Sequence, residues 1–128
     1  MKYISINYII KLHEKLIVAS GGSNGIIDIR LLESAMENSK VTLEGEDLYK
    51  SVEEKCSNIC YNIISNHAFI DGNKRIGIYV MLMLLEYNGV KVTFTQAELI
   101  NLGLGTATKE EIKEVNILGW IKNHISLC

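Results

Sequence analysis

Proline is absent from the 128 residues, so the residue that most often interrupts a helix is missing. Cysteine is scarce, and three is an odd number that fits reduced thiols better than a disulfide framework. Neither sign of charge dominates, because 13 Lys and Arg against 15 Asp and Glu leave a net charge of −2. This balance provides no overall basic field that would draw the protein to nucleic acid or to a membrane surface.

Long apolar runs and targeting signals are also missing. The longest apolar stretch, residues 76–87, is too short to cross a bilayer and is typical of a buried helix. The first residues lack the apolar run and the small-residue cleavage site of a signal peptide. We therefore expect a soluble, cytoplasmic protein in which residues 1–128 form a single domain, long enough to bury a core.

Periodic apolar positions predict an all-α fold, a compact bundle of about six helices around a buried central helix. The first helix should cover residues 5–20 and end at Gly21-Gly22. Its apolar stripe is predicted to consist of Ile9, Leu12, Leu16 and Ala19. His13 lies on the same helix, and a lone helical histidine is more often structural than catalytic. Asp28 is a good N-cap for a second helix.

A third helix is predicted over residues 48–66, after a short strand or hairpin around residues 41–45. Cys56 and Cys60 are four residues apart and would share a face of this helix with His67 if the helix ran that far. A metal site there is conceivable, but no fourth ligand is visible nearby. Both thiols lie in an apolar stripe, which favours core packing because free cysteine behaves as a small buried hydrophobe.

The helix from about residue 76 onward has almost no polar face, which predicts the central helix of the bundle. Asn88-Gly89 supplies its C-terminal stop. Two capping-box patterns, Thr95-x-x-Glu98 and Thr108-x-x-Glu111, open further helices. The apolar positions predicted for the last helix are Ile112, Val115, Leu118, Trp120 and Ile121.

The segment HAFIDGNKR, residues 67–75, concentrates reactive side chains just before that apolar helix. A helix N-terminus presents unpaired backbone N–H groups and partial positive charge, and Lys74 and Arg75 add more. Asp71 offers the hard oxygen ligand that Mg²⁺ prefers. His67 is an imidazole able to remove a proton from a hydroxyl. Together these groups are typical of phosphoryl or nucleotidyl transfer.

A purely structural interpretation of the same residues stays open at this point. Asp71 would then be an N-cap, Asn73 a turn residue, and Lys74 and Arg75 solvated charges. No Walker A loop and no dinucleotide-binding fingerprint accompanies the segment.

The 67–75 segment resembles the H-x-F-x-[D/E]-G-N-x-R signature of the Fic fold. Its lysine, in GNKR, resembles the Doc (death-on-curing) toxin branch of the Fic/Doc family. Residues 21–35 also resemble that branch, through its GG-x-x-G-x-x-D pattern followed by LLESA. Leu48-Tyr49 and Asn88-Gly89 lie where the branch has similar pairs, so the resemblance extends over most of the chain.

This resemblance implies a role for each reactive residue. His67 would be the general base, Asp71 would coordinate Mg²⁺, and Phe69 would anchor the loop in the core. The residues expected to contact the phosphates of ATP are Gly72, Asn73, Lys74 and Arg75. Residues 41–47 would form a short β flap, where a target segment docks by strand-like backbone pairing.

Two positions depart from the broader Fic pattern. Many Fic enzymes have glycine at the position of Lys74 and a second arginine at the position of Ile78, and they transfer AMP. A lysine side chain would fill space that glycine leaves for phosphates, and Ile78 cannot clasp a phosphate. The resemblance therefore implies that the γ-phosphate of ATP faces the target. It implies a toxin acting as a protein serine/threonine kinase on elongation factor Tu, which arrests translation.

Control of such an activity is expected to come from outside the chain. Self-inhibiting Fic proteins carry an [S/T]-x-x-x-E-[G/N] helix, and the nearest match here, residues 42–46, is followed by Asp47. The resemblance thus implies a cognate antitoxin that inserts a disordered segment between helices. Two alternatives stay open: an AMP transferase, and a catalytically idle Fic-fold binding protein. The sequence does not decide the oligomeric state.

Overall fold

Five helices, a further short helical segment and one hairpin are the regular elements in the part of the chain that the computed structural model describes. That part is residues 1–99 and 114–125, with the backbone alone for residues 114–116. The elements are α1 (Ile6–Ser20), α2 (Ile29–Asn38), β1 (Thr42–Leu43), β2 (Glu46–Asp47), α3 (Val52–Asn66), α4 (Asn73–Tyr87) and α5 (Glu114–His124). Residues 96–99 are also helical. The all-α prediction of about six helices is confirmed.

The core forms where α3 and α4 pack against each other. Helix α4 also contacts α1, while α3 contacts α2 and α5. Most of α4 is buried, as its apolar sequence predicts, but Tyr79 and Tyr87 are about half exposed. Tyrosine tolerates such a position because its ring has an apolar body and a polar tip. Helix α4 is therefore a central helix with one side open, and α3 shares the centre with it.

Helix α1 begins at the predicted place, and most of its predicted apolar stripe packs against the core. The Ser5 side chain accepts a hydrogen bond from the Tyr8 backbone N–H, and Gly21 ends the helix with a φ of 86°. Ile9 is buried, and Leu12 and Leu16 are partly buried against the core. The prediction was wrong at Ala19, which is exposed. It also left out His13 and Ile17, which are buried, because a histidine interrupts the apolar pattern.

The hairpin and the start of α3 define the other correction. Strands β1 and β2 pair antiparallel around Glu44 and Gly45, which both have positive φ, as a two-residue hairpin turn requires. The predicted hairpin is confirmed. Helix α3 was predicted to begin at residue 48, which was wrong. It begins at Val52, because the Ser51 side chain caps it by accepting the Glu54 N–H.

Both predicted core cysteines lie buried in α3. Burial raises the pKa of the Cys56 thiol to about 12 and raises the pKa of Cys60 as well, so both stay protonated. Within the described ranges no group of three or more His, Cys, Asp or Glu side chains is arranged to hold a metal ion. The prediction of core packing is confirmed.

The C-terminal elements match their sequence signals where the structure describes them. Asn88 caps α4, and Gly89 follows with a φ of 81°. Thr95 and Glu98 form a reciprocal capping box. The capping box at Thr108 and Glu111, Ile112, and the side chain of Val115 lie outside the described residues. No helix among the described residues is long and apolar enough to cross a membrane.

Candidate active site

The reactive loop, residues 67–75, connects the end of α3 to the start of α4. His67 is the C-cap of α3 and takes the left-handed conformation, with φ 51° and ψ 54°. This conformation costs a non-glycine residue about 1–2 kcal/mol and turns the chain back toward α4. The His67 side chain is exposed and forms no hydrogen bond or ion pair with any described residue. Both ring nitrogens are therefore open to a substrate.

Phe69 and Asn73 hold the middle of the segment in place. The Phe69 side chain is only 1% exposed and belongs to the core. The Asn73 side chain accepts the Phe69 backbone N–H at 3.1 Å and donates to the Phe69 carbonyl at 2.9 Å. The oxygen and the nitrogen of the Asn73 side-chain amide are thus both hydrogen-bonded within the loop. Any contact between Asn73 and a phosphate falls to its backbone N–H, at the start of α4.

The loop between α1 and α2 forms a second wall against the segment. Ile27 donates its backbone N–H to the Ala68 carbonyl at 2.7 Å, and Ile70 donates to the Gly25 carbonyl at 3.1 Å. The backbone therefore pairs like a short antiparallel ladder. The sequence marked this stretch as GG-x-x-G-x-x-D, and the structure explains it as the partner of the reactive loop.

Asp71 is oriented by backbone amides. Its Oδ2 accepts the Ser23 N–H at 3.2 Å and its Oδ1 accepts the Gly72 N–H at 2.8 Å. These two hydrogen bonds, followed by the nearby Arg75 and His13, hold the pKa of the Asp71 carboxyl below its usual value. The side chain is 48% exposed, so an ionised carboxylate faces solvent with lone pairs to spare.

Glycine at position 22 is required by the closeness of this carboxylate. A β-carbon on Gly22 would lie 2.5 Å from Asp71 Oδ2 and 3.1 Å from Arg75 Nη2. The φ of Gly22 is also positive, at 117°. The neighbouring Gly21 would meet nothing within 4 Å, so its role is conformational only.

Arg75 joins the start of α4 to the end of α1. Its Nη1 donates to the Ser20 hydroxyl at 2.6 Å and to the Gly21 carbonyl at 2.9 Å. Its Nη2 lies 3.7 Å from Asp71 Oδ1. The guanidinium is therefore oriented, yet Nε and part of Nη2 keep donors for an anion.

The N-terminus of α4 carries the remaining positive groups. Gly72 precedes the helix with a φ of 78°, and the first intrahelical hydrogen bond runs from the Ile76 N–H to the Gly72 carbonyl. The amides of residues 73–75 thus precede the helical hydrogen-bond ladder. Lys74 is half-buried and pairs with no described residue. Ile78, where a second arginine would stand, is 8% exposed and part of the core.

The structure brings together all seven residues singled out from the sequence, since they belong to one segment. It adds contacts that the sequence did not predict. Ser23 and Gly22 lie beside Asp71, and Ser20 accepts a hydrogen bond from Arg75. His13, which the sequence suggested to be structural, contacts the same loop. His13 Nε2 lies 2.6 Å from the Asp71 carbonyl oxygen, and its ring stacks on Phe69. Histidine at a buried helix position was the one available signal for it.

The hairpin is fastened to α3 by a buried lysine. Lys55 donates to the Tyr49 carbonyl and pairs with Asp47 Oδ2 at 3.2 Å. Its side chain is 11% exposed. By contrast, Leu43 of β1 is largely exposed. The hairpin thus has a fixed base, and its strand β1 presents an exposed leucine next to the turn.

Two cavities of the described structure lie away from the reactive loop. They measure about 590 and 580 Å³, and Met83 and Glu86 of α4 line both of them. No residue of the 67–75 segment lines either one.

Comparison with known proteins identifies the family of the chain. The family model of the Fic/DOC family matches residues 3–85, which run from the residues before α1 through most of α4 and include the whole reactive loop. Toxin Doc of Mycolicibacterium smegmatis (strain ATCC 700084 / mc(2)155) is 32% identical over 75 residues, or 59% of this chain. The match spans 58% of that relative's length. The chain belongs to the Fic/DOC family.

Proposed function

We propose that this protein is the toxin of a toxin–antitoxin pair and transfers the γ-phosphate of ATP to a serine or threonine hydroxyl of a protein target. One observation carries the proposal. An exposed imidazole without a partner among the described residues, His67, stands in the same short loop as an ionised carboxylate and the cationic start of α4. These are the parts that phosphoryl transfer needs.

His67 acts as the general base in this proposal. Its ring takes the proton of the target hydroxyl as that oxygen attacks the γ-phosphorus. The bond between the γ-phosphorus and its bridging oxygen breaks, and ADP leaves with the electron pair. The left-handed backbone of His67 supports this role, because it lifts the ring out of α3 and into solvent.

Asp71 is the residue that would hold Mg²⁺. Mg²⁺ in nucleotide sites is bound by one or two carboxylates plus phosphate oxygens, not by an all-protein cage. A single carboxylate, ionised and solvent-facing, in a cradle that a Gly22 β-carbon would fill, fits that pattern. The bound ion would neutralise charge that develops on the phosphates.

The start of α4 would hold the phosphates. The amides of Asn73, Lys74 and Arg75 precede the helical ladder, and Gly72 lets an anion approach the backbone closely. The Lys74 ammonium and the free donors of Arg75 add charge-assisted hydrogen bonds. Arg75 is pre-positioned by Ser20, so less side-chain entropy is lost when it binds.

Two positions favour γ-phosphate transfer over AMP transfer. Lys74 places a long cation where many Fic enzymes have glycine, and Ile78 is committed to the core. A phosphate clasp at position 78 would require a buried side chain to leave the core. The alternative, an AMP transferase, is a second candidate, and the Lys74→Gly variant tests it. That variant should lose most γ-phosphate transfer without gaining AMP transfer.

The proposed target is elongation factor Tu, and the proposed controlling partner is a cognate antitoxin. The match to the Fic/DOC family and to a relative named Toxin Doc supports a toxin with an antitoxin partner. Elongation factor Tu is proposed because the GNKR sequence resembles the Doc branch. Strand β1 supports the docking of an extended target segment, because its residues are exposed in a two-stranded hairpin. Phosphorylation of the factor would arrest translation.

Labelled ATP tests the proposal directly. The purified protein is incubated with Mg²⁺, elongation factor Tu and ATP carrying the label at either the γ or the α position, beside His67→Ala. We expect γ label on the factor with the native protein only. Transfer of α label instead would replace the kinase by an AMP transferase.

Two controls make a negative result informative. His124→Ala removes a histidine whose ring already bonds to Trp120 and Glu98, so it matches His67→Ala in chemistry but lies outside the loop. It should keep γ transfer. If neither label reaches the factor or any protein of a whole bacterial lysate, the idle binding protein becomes the better interpretation.

A further inference from the structure

His13 is a buried histidine whose polar contact is with the reactive loop. It lies on α1 with 1% of its surface exposed, between Ile9 and Ile17 on the core face of that helix. Its Nε2 is 2.6 Å from the backbone carbonyl oxygen of Asp71. Its ring stacks on Phe69 with ring centres 3.8 Å apart. Burying a polar ring costs free energy unless the ring is hydrogen-bonded, and a leucine at this core position would avoid that cost.

The direction of this hydrogen bond follows from chemistry. A carbonyl oxygen can only accept, so Nε2 must carry the proton and donate it. The Asp71 carbonyl and the Gly72 N–H belong to one planar trans peptide and point in opposite directions. Fixing the carbonyl therefore fixes the N–H. That N–H is the group that holds Asp71 Oδ1 at 2.8 Å.

A chain of contacts thus runs from α1 to the carboxylate. His13 holds the peptide between Asp71 and Gly72, and this peptide orients the Asp71 side chain from one side. The Ser23 N–H orients it from the other side, at 3.2 Å. Helix α1 packs close to this peptide, since a β-carbon on Gly72 would lie 3.2 Å from Ile17 and 3.5 Å from His13 Nε2.

We propose that His13 is a positioning residue, which holds the Asp71–Gly72 peptide so that the Asp71 carboxylate and the Gly72 amide face the phosphate site. The effect on catalysis rests on the proposed function, but the effect on the peptide does not. His13 touches no substrate. It acts through the loop backbone, as partners behind a metal-binding side chain commonly do.

Two substitutions separate the stacked ring from the hydrogen bond. His13→Phe keeps an aromatic ring against Phe69 and removes the donor. His13→Gln removes the ring and keeps an N–H donor of similar reach. Ile9→Val is the matched control, because Ile9 is fully buried one turn earlier on the same face of α1. It loosens the core without removing a hydrogen bond to the loop.

The first measurement needs no ligand. Amide hydrogen exchange at Gly72, followed by NMR on the full chain, should be about tenfold or more faster in His13→Phe than in the native protein. In His13→Gln the exchange should be slower than in His13→Phe and closer to the native rate. In Ile9→Val it should equal the native rate. Native exchange at Gly72 in a folded His13→Phe protein would overturn the proposal. If His13→Phe does not fold, the ¹⁵N shifts of native His13 decide: a ring protonated on Nδ1 alone would overturn it.

The second measurement links the peptide to activity. His13→Phe should lower the kcat of phosphate transfer by about 10–100-fold and raise the Mg²⁺ concentration for half-maximal rate. His13→Gln should recover part of both, and the KM for the protein target should stay near native. A native rate and Mg²⁺ dependence in His13→Phe would overturn the catalytic role. Faster exchange at Gly72 together with no transfer by the native protein would refute the proposed function and leave the positioning contact intact.

Discussion

The Asn73 side chain forms hydrogen bonds with both backbone groups of Phe69, accepting its N–H at 3.1 Å and donating to its carbonyl at 2.9 Å. Asn73 is only 7% exposed. One amide side chain thus satisfies both backbone groups of Phe69, while the neighbouring Ala68 and Ile70 pair with the loop between α1 and α2. Asn73, the asparagine of the GNKR sequence, therefore stabilises the conformation of the loop.

Replacing Asn73 should therefore cost stability. Asn73→Ala leaves two buried backbone groups without partners, and we expect a loss of about 1–3 kcal/mol in the free energy of unfolding. Chemical denaturation measures this loss. In Asn62→Ala, the amide removed bonds to the carbonyl of its own helix at Asn58 and to the exposed Asn38, so a smaller loss is expected. Equal losses in both variants would contradict this stabilising role of Asn73.

Two adjacent glycines test whether the cradle formed by Gly22, Asp71 and Arg75 is the nucleotide site. Gly22→Ala would place a β-carbon 2.5 Å from Asp71 Oδ2, whereas Gly21→Ala would meet nothing within 4 Å. Both glycines have positive φ, so both variants carry a backbone cost of about 1 kcal/mol. Only Gly22→Ala should also weaken ATP binding in the presence of Mg²⁺, as titration calorimetry would measure. Similar binding in the two variants would mean that the cradle is not the nucleotide site.

Asp71 should make stability depend on acid pH. The Ser23 and Gly72 amides hold its folded pKa below the ordinary 3.8, so the folded state favours the ionised form. This contribution is complete well above pH 3.8 and is lost as pH falls through the lowered folded pKa. Asp71→Asn cannot titrate. The difference in unfolding free energy between native and Asp71→Asn should therefore shrink as the pH is lowered below about 4.

A second part of this prediction concerns function. Asp71→Asn should lose Mg²⁺-dependent transfer at neutral pH, where its stability is easily checked by thermal melting. Asp28→Asn is a useful comparison, because Arg30 lowers the pKa of the Asp28 carboxyl too, yet Asp28 caps α2. The difference in unfolding free energy between the native protein and Asp28→Asn should also shrink in acid, and Asp28→Asn should retain phosphate transfer. Full transfer by Asp71→Asn would reduce Asp71 to a loop cap.

Two lysines distinguish the base of the hairpin from its surface. Lys55→Met removes a buried ammonium that pairs with Asp47 and the Tyr49 carbonyl, while Lys50→Met removes an exposed ion pair with Glu46. Exposed pairs contribute about 0–1 kcal/mol, so Lys50→Met should behave like the native protein. Lys55→Met should raise the KM for the protein target and leave ATP binding unchanged. An unchanged KM would separate the hairpin from target docking.

The sequence predicted the local elements well, because their signals lie within a few residues of one another. Asp28, Asn88 and the Thr95–Glu98 box cap helices where their side chains reach the nearest backbone groups. Apolar spacing located α4 in the same way. The start of α3 was missed because Leu48 continues the apolar spacing, whereas the Ser51 cap decides where the helix begins.

Two buried residues of α1, His13 and Ile17, were missed for a different reason. Apolar periodicity treats histidine as polar, so it could not recognise a stripe of Ile9, His13 and Ile17. Whether a histidine can be buried depends on an acceptor, and that acceptor lies 58 positions along the chain. The same holds for Ser23, which meets Asp71 across 48 positions.

The sequence alone placed an imidazole, a carboxylate and two cations within nine consecutive residues. It also determined that an apolar helix follows them. Only the tertiary structure decided how those groups are held. Packing α1 beside α4 brings Ser20 to Arg75 and His13 to the Asp71 carbonyl. Contacts between distant residues depend on how helices pack, and no local pattern encodes that arrangement.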